Sequence, residues 1–191
     1  MAGYEGRWRV TAIEAKLISL DGVNAKALED AARSLSAANR RFRAGVSRWD
    51  ASGIFHELMV ADTEAGSPSP RTLLLLYAAD LTFRLRWEIR PALEEGRLVI
   101  AAPYVSTATA FGQAAGLDAA WLADLFHFAP PAAEHHVVDP APAKQITDRG
   151  GFVEFCWLRL ETRLGGLTRL QLMDRTRRHL RATARALRVQ P

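Results

Sequence analysis

The residue types most able to do chemistry lie at a few separate points along the chain. Glu134-His135-His136 places three metal-donor side chains in a row. Neighbouring histidines on a strand project to opposite faces, so the pair cannot chelate together without a third partner, and no metal site is expected there. Asp21 and Asp139 each follow a short apolar run. If those runs are strands, both carboxylates fall on the edge where open α/β sheets bind ligands, and they could hold Mg²⁺ or a basic partner. An aspartate after a strand serves equally as a helix cap or turn former. Asp80 interrupts an apolar helical stretch and needs a partner such as Arg84, or a pocket to face. Cys156, between Phe155 and Trp157, reads as a core residue rather than a nucleophile. No nucleophile–base pair follows from spacing, and no catalytic residue is assigned.

The chain that must position these groups has 191 residues, enough for one domain expected to span 1–191. Its 49% hydrophobic and 24% charged content is that of a globular protein. The longest strongly apolar run, Leu73 to Ala79, is far below the ~20 residues of a membrane helix, so no membrane association is expected. Met1 to Val10 carries Glu5, Arg7 and Arg9 with no apolar stretch behind them, which does not read as a signal peptide. A single cysteine without zinc-type Cys/His spacing points to a cytoplasmic protein. The net charge of +4 is carried mostly by arginine, since only Lys16, Lys26 and Lys144 are lysines. Nine arginines fall between Arg159 and Arg188 against Glu161 and Asp174. That run could attract nucleic acid or another anionic partner, or form a solvated helix face. Aromatic residues are sparse there, which argues against base stacking.

Short apolar runs alternate with longer helical periodicities, the pattern of βαβ units and a parallel sheet. Strands are expected at Lys16–Leu20, Arg43–Arg48, Arg97–Ala102 and Glu134–Asp139. Helices are expected at Ala25–Asn39 with Asn24 as cap, at Ser52–Ala61, Val105–Ala115 and Asp118–Phe126, and at Gly151–Arg163 and Leu167–Leu187 with Gly165-Gly166 between them. The longest helix runs from Thr72 to about Glu95, and Pro91 predicts a kink or break near Arg90.

The string Leu73 to Asp80 (LLLLYAAD) and the string Ile89 to Ile100 (IRPALEEGRLVI) resemble the thymidylate kinase family of P-loop nucleotide kinases, whose pattern reads LLFAADR…IRPAL..GK.VI. The similarity covers roughly residues 15 to 140, with 151–191 as closing arginine-rich helices. It implies an α/β fold, three layers with a parallel sheet flanked by helices, and a homodimer through the long helix. It also implies a phosphate loop starting at Gly22 and an acceptor pocket lined by Arg48, Asp80 and Tyr104.

Carried across residue by residue, the family's phosphate grip is missing. A P-loop reads G-x-x-x-x-G-K-[ST], with glycines that let backbone N–H groups wrap a phosphate and a lysine to neutralise it. From Gly22 this chain has Ala27 for the second glycine, Leu28 for the lysine and Glu29 for the hydroxyl. Gly22 and Lys26 are the only candidates left for holding ATP. The Asp-Arg pair after the third strand falls on Ala102-Pro103, and the acceptor arginine on Leu81. The arginine-bearing lid shrinks to Asp139–Gly150 with Arg149. The expectation is a kinase-like protein without phosphoryl transfer that works through an unidentified protein partner. ATP and Mg²⁺ are expected only if the site has been rebuilt around Lys26, Arg48 and Arg149 as an atypical nucleoside monophosphate kinase.

Overall fold

The computed structural model describes residues 15–60, 68–138, 151–160 and 167–189. Its four strands are β1 Lys16–Gly22, β2 Gly45–Arg48, β3 Leu98–Ala102 and β4 Glu134–Val138. All pair in parallel, in the order β2-β3-β1-β4. The apolar run of β3 is buried along its whole length, as a central strand covered on both faces must be. β1 runs two residues past the expected Leu20 because β4 pairs with its end, matching Asp21 to Val137 and Gly22 to Val138. Side chains alternate between the faces. Ile18, Leu20, Leu98, Ile100 and Ala102 pack on Leu28 and Ala32 of α1 (Ala25–Ala38), while Leu17, Val99 and Ala101 join the larger core. This is the expected α/β architecture with helices on both sides of a parallel sheet.

Boundaries moved where the backbone turns. Arg43 takes a left-handed conformation (φ 51°) after a 3₁₀ turn at Arg40–Phe42, so β2 begins at Gly45 rather than Arg43. Asp50 (φ 58°) and Gly53 (φ 78°) make another turn, and α2 spans Ile54–Val60. α3 (Pro70–Arg84) starts under a Ser69 cap and runs without a break through a π turn, Leu85–Ile89, into α4 (Arg90–Glu94). In the π turn the Arg90 N–H reaches back to the Leu85 carbonyl. The wider turn makes room for the Pro91 ring, so the irregularity expected near Arg90 takes the form of a π bulge in a continuous helix. α5 (Val105–Ala114) and α6 (Ala119–Phe126, capped by Asp118) follow.

The chain closes with α7 (Phe152–Arg159) and α8 (Arg169–Val189). On α8 Leu172, Thr176 and Leu180 are buried while Arg175, Arg178 and Arg185 are exposed, so much of the arginine run faces solvent. Asp139, Arg149 and Gly165-Gly166 lie outside the described residues. Among the described residues no helix is long and apolar enough to cross a membrane.

The larger core is tightest where α5 meets α3 and α6. A Cβ on Gly112 would come within 2.5 Å of Leu122 Cδ2 and 2.9 Å of Leu74 Cδ1. Gly112→Ala should therefore overpack the core and cost about 1–3 kcal/mol. Urea unfolding would read this as a lower midpoint at an unchanged slope, and an unchanged midpoint would show that the two leucines yield freely.

Candidate functional site

In a parallel sheet the helices that follow the strands start at its carboxyl edge, where their unsatisfied N–H groups converge. β1 leads through Gly22-Val23-Asn24 into α1, and beside this turn lies a cleft of about 200 Å³. Ala25, Leu28, Glu29 and Ala32 form its α1 wall, Arg48, Trp49, Ala102 and Pro103 the opposite one, and Gly151 closes one end. Arg48 and Glu29 face each other across it with Nη2 and Oε1 4.0 Å apart. Both side chains are largely exposed, so this pair adds little stability.

Two buried carboxylates, Asp21 and Glu154, tie together the elements around this turn. Asp21 is buried, and its Oδ1 accepts from the Tyr104 N–H (3.0 Å), the Thr107 N–H (2.9 Å) and the Thr107 hydroxyl (2.8 Å), capping α5 from a neighbouring strand. Burial pushes its carboxyl above the usual range, partly offset by the donors from Thr107 and Tyr104. Of the roles the sequence left open for Asp21, the geometry supplies the cap. The Gly22 N–H donates to Thr107 Oγ1 (3.0 Å), and a Cβ on Gly22 would sit 2.8 Å from the Val138 carbonyl oxygen. A close approach to β4 thus accounts for this glycine.

Glu154 is only 3% exposed although it is a carboxylate. Its Oε2 accepts from the Gly151 N–H (3.0 Å), as the glutamate of a capping box does, and from the Ala25 N–H (3.3 Å) at the start of α1. Its Oε1 accepts from Asn24 Nδ2 (3.2 Å). Asn24 Oδ1 in turn takes the Ala27 N–H (2.9 Å), making it the expected cap of α1. Burial pushes the Glu154 carboxyl up, against the pull of the Gly151 and Ala25 donors. Sequence reasoning passed over Glu154, yet a signal existed: a carboxylate inside the run Phe152-Val153-Glu154-Phe155-Cys156-Trp157 must find donors once that run is buried.

The site residues expected from the sequence each have partners of their own. Lys26 turns outward and bonds both carboxylate oxygens of Asp30 at 2.8 Å. Leu28 is buried and lines the cleft. Arg48 lines the cleft, whereas Asp80 and Tyr104 are not part of its lining. Asp80 is fully buried and faces the turn instead, accepting from the Asp50 N–H (3.0 Å), the Ser52 N–H (3.0 Å) and the Ser52 hydroxyl (2.9 Å). Asp50 caps α2 through the Phe55 and His56 N–H groups, and its carboxyl is raised by burial. Arg84 is not the partner of Asp80. It is buried and spans the ends of β2 and β3, donating to Ser47 Oγ (3.0 Å), the Ser47 carbonyl (2.9 Å) and the Pro103 carbonyl (3.0 Å). Tyr104 is buried too, with its hydroxyl donated to the Pro130 carbonyl at 2.7 Å.

His135 bonds Ser19 Oγ through Nδ1 (2.9 Å), whereas His136 Nε2 meets Glu134 (3.2 Å), which also pairs with Lys16. Among the described residues no three His, Cys, Asp or Glu side chains are grouped to hold a metal ion. Cys156 is buried in the core, where burial holds its thiol well above the usual range.

No family model matches the sequence. The chain is 46% identical over 55 residues to a protein of Thermococcus gammatolerans named "Probable thymidylate kinase". That match takes in 29% of this chain and spans about a quarter of the relative's length (26%). In three dimensions the chain is similar to the thymidylate kinase of Ehrlichia chaffeensis, with a TM-score of 0.62 over 90% of this chain and 87% of that one, at 14% identity. The fold is therefore that of the P-loop nucleotide kinases, as the sequence implied.

The Asp21 cap generates a prediction. Asp21→Ala strands two buried backbone donors and should cost about 2–4 kcal/mol, whereas Asp21→Asn keeps an acceptor oxygen and should cost less. The raised carboxyl means that the folded chain holds this proton more tightly than the unfolded chain. Wild-type stability relative to Asp21→Asn should accordingly fall as pH rises from the ordinary value of 3.8 through the folded one. Denaturant unfolding across acid pH measures it, and a difference that grows with pH would contradict the account.

Proposed function

We propose that this chain is a single-domain, kinase-like interaction or regulatory protein that keeps the thymidylate-kinase fold without phosphoryl transfer. The observation that carries this reading is the lack of a cation from α1 in the cleft. The position of the phosphate lysine is a buried leucine, Leu28, and the nearest lysine, Lys26, is held by Asp30 on the outer face. Phosphoryl transfer depends on positioned positive charge around the phosphates, so an α1 wall whose charged group is Glu29, with Arg48 opposite already facing that carboxylate, gives the transition state little to rest on. Two more features support the reading. Ala102-Pro103 lines the cleft with no charged group, and the first N–H of α1 already meets the Glu154 carboxylate. ATP–Mg²⁺ does not fit residues arranged in this way, and we derive no step through it.

Asp80 and Tyr104, which the resemblance assigns to the acceptor pocket, serve internal hydrogen bonds. Next to them the rings of Trp49, Phe55, Phe152 and Phe155 pack together with centroids 5.0 to 6.3 Å apart. Such packing fills space that a nucleoside would need.

The molecule would act in the cytoplasm as a homodimer that offers a surface to another protein. Along the long helix Leu75, Phe83 and Trp87 are 50%, 39% and 62% exposed, with Ala79 between them at the same four-residue spacing. An exposed apolar stripe of this kind suits a second copy of the same helix.

Two experiments test these statements. Calorimetric titration of the pure protein with ATP–Mg²⁺ and with dTMP should give no heat beyond dilution, and Lys26→Ala should leave both traces unchanged. Saturable binding of ATP that Lys26→Ala removes would establish a rebuilt kinase site instead. Light scattering should report twice the mass of one chain, and Trp87→Glu should shift it to one. A monomeric wild type would exclude the dimer.

A further inference from the structure

We propose that Glu154 is a built-in occupant of the anion seat at the start of α1, so that this carboxylate, and not only the lost lysine, keeps phosphate out of the cleft. The inference deepens the non-catalytic reading and rests on it. A helix start presents N–H groups and a partial positive charge, which makes it a natural place for a phosphate or a carboxylate. On α1 that place is taken. The Ala25 N–H donates to Glu154 Oε2 at 3.3 Å, and Asn24 Nδ2, from the capping residue, donates to Oε1 at 3.2 Å. The same Oε2 takes the Gly151 N–H, so one carboxylate joins the starts of α1 and α7.

The occupant is held in place rather than merely present. Glu154 is 3% exposed, and its neighbours Phe152, Val153 and Phe155 are buried in the core. Phe152 packs on Tyr77 with ring centroids 4.4 Å apart and on Phe111 at 5.5 Å. Gly151 lies against the start of α1, where a Cβ on it would make an ordinary 3.5 Å contact with the Ala25 Cβ. Ala25 and Gly151 also line the 200 Å³ cleft, so the seat lies at its edge. An incoming phosphate would meet a buried negative charge, and removing the carboxylate would return two backbone donors to the cleft. The bonds could alternatively be only a latch between two helices, and the two cases give different results.

The test uses inorganic phosphate as the probe on three full-length proteins: wild type, Glu154→Ala and Glu154→Gln. Each is followed by thermal unfolding and by amide NMR. If the seat is occupied, wild type shows no phosphate-dependent shift at Ala25 or Gly151. Glu154→Ala shows a saturable shift at both amides, with a Tm rise of about 5–10 °C at a hundredfold excess over its Kd. Glu154→Gln keeps the shape and one acceptor oxygen, so it carries the NMR test should Glu154→Ala fail to fold; it should show a weaker shift at the same amides. A latch would lower Tm in the variants without any phosphate response at these amides, and that result overturns the inference while leaving the non-catalytic reading intact. Phosphate binding by wild type at Ala25 would overturn both.

Discussion

The structure depends on how the backbone N–H groups at helix starts are satisfied along one edge of the sheet. Parallel strands and crossover helices bring these starts together, and each carries donors that the helix itself cannot use. A helix start can satisfy them with a bound anion or with a side chain of the protein itself. In this chain side-chain carboxylates do the work. Asp21 serves α5, Glu154 serves α1 and α7, and Asp50 serves α2. Asp80 then ties down the turn that places Asp50. The edge is thus closed by internal anions, and burial raises the carboxyl groups of Asp21, Asp50 and Glu154 in consequence.

The same constraint explains where the cations sit. Arg84, fully buried, makes its bonds to carbonyl and hydroxyl oxygens of β2 and β3 rather than to a carboxylate, so its charge organises strand ends instead of facing the cleft. Lys26 goes to Asp30 and Arg48 stands opposite Glu29. What the cleft retains is an apolar wall of Leu28, Ala32, Ala102 and Pro103 with one weak surface pair at its rim.

Much of the fold was legible in the sequence, because apolar periodicity and capping residues act locally. The buried run of β3, the Asn24 cap and the helices at Val105 and Asp118 fall within a residue or two of expectation. Pro91 marked the place of the irregularity but not its form, because a proline forbids one hydrogen bond and does not dictate how the helix copes, and the π turn at Leu85–Ile89 depends on packing around it. The site was legible only in part. That residue 28 is a leucine, with no lysine of α1 nearer than Lys26, is a matter of residue type and could be read directly. That Asp80 and Tyr104 turn inward, and that Glu154 reaches from residue 154 to residue 25, depends on contacts between distant segments that no local pattern encodes. Glu154 left one trace, a carboxylate in an apolar run, and Arg84 left another of the same kind.

The central claim is that a nucleotide-kinase fold persists here with its phosphate-binding edge filled from within. The most direct measurement is transfer of the γ-phosphoryl group from radiolabelled ATP–Mg²⁺ by the pure protein to dTMP and to the other nucleoside monophosphates. The account predicts no labelled diphosphate above the protein-free control at any protein concentration. Product that rises in proportion to the protein present, and that purification to homogeneity does not remove, would contradict it.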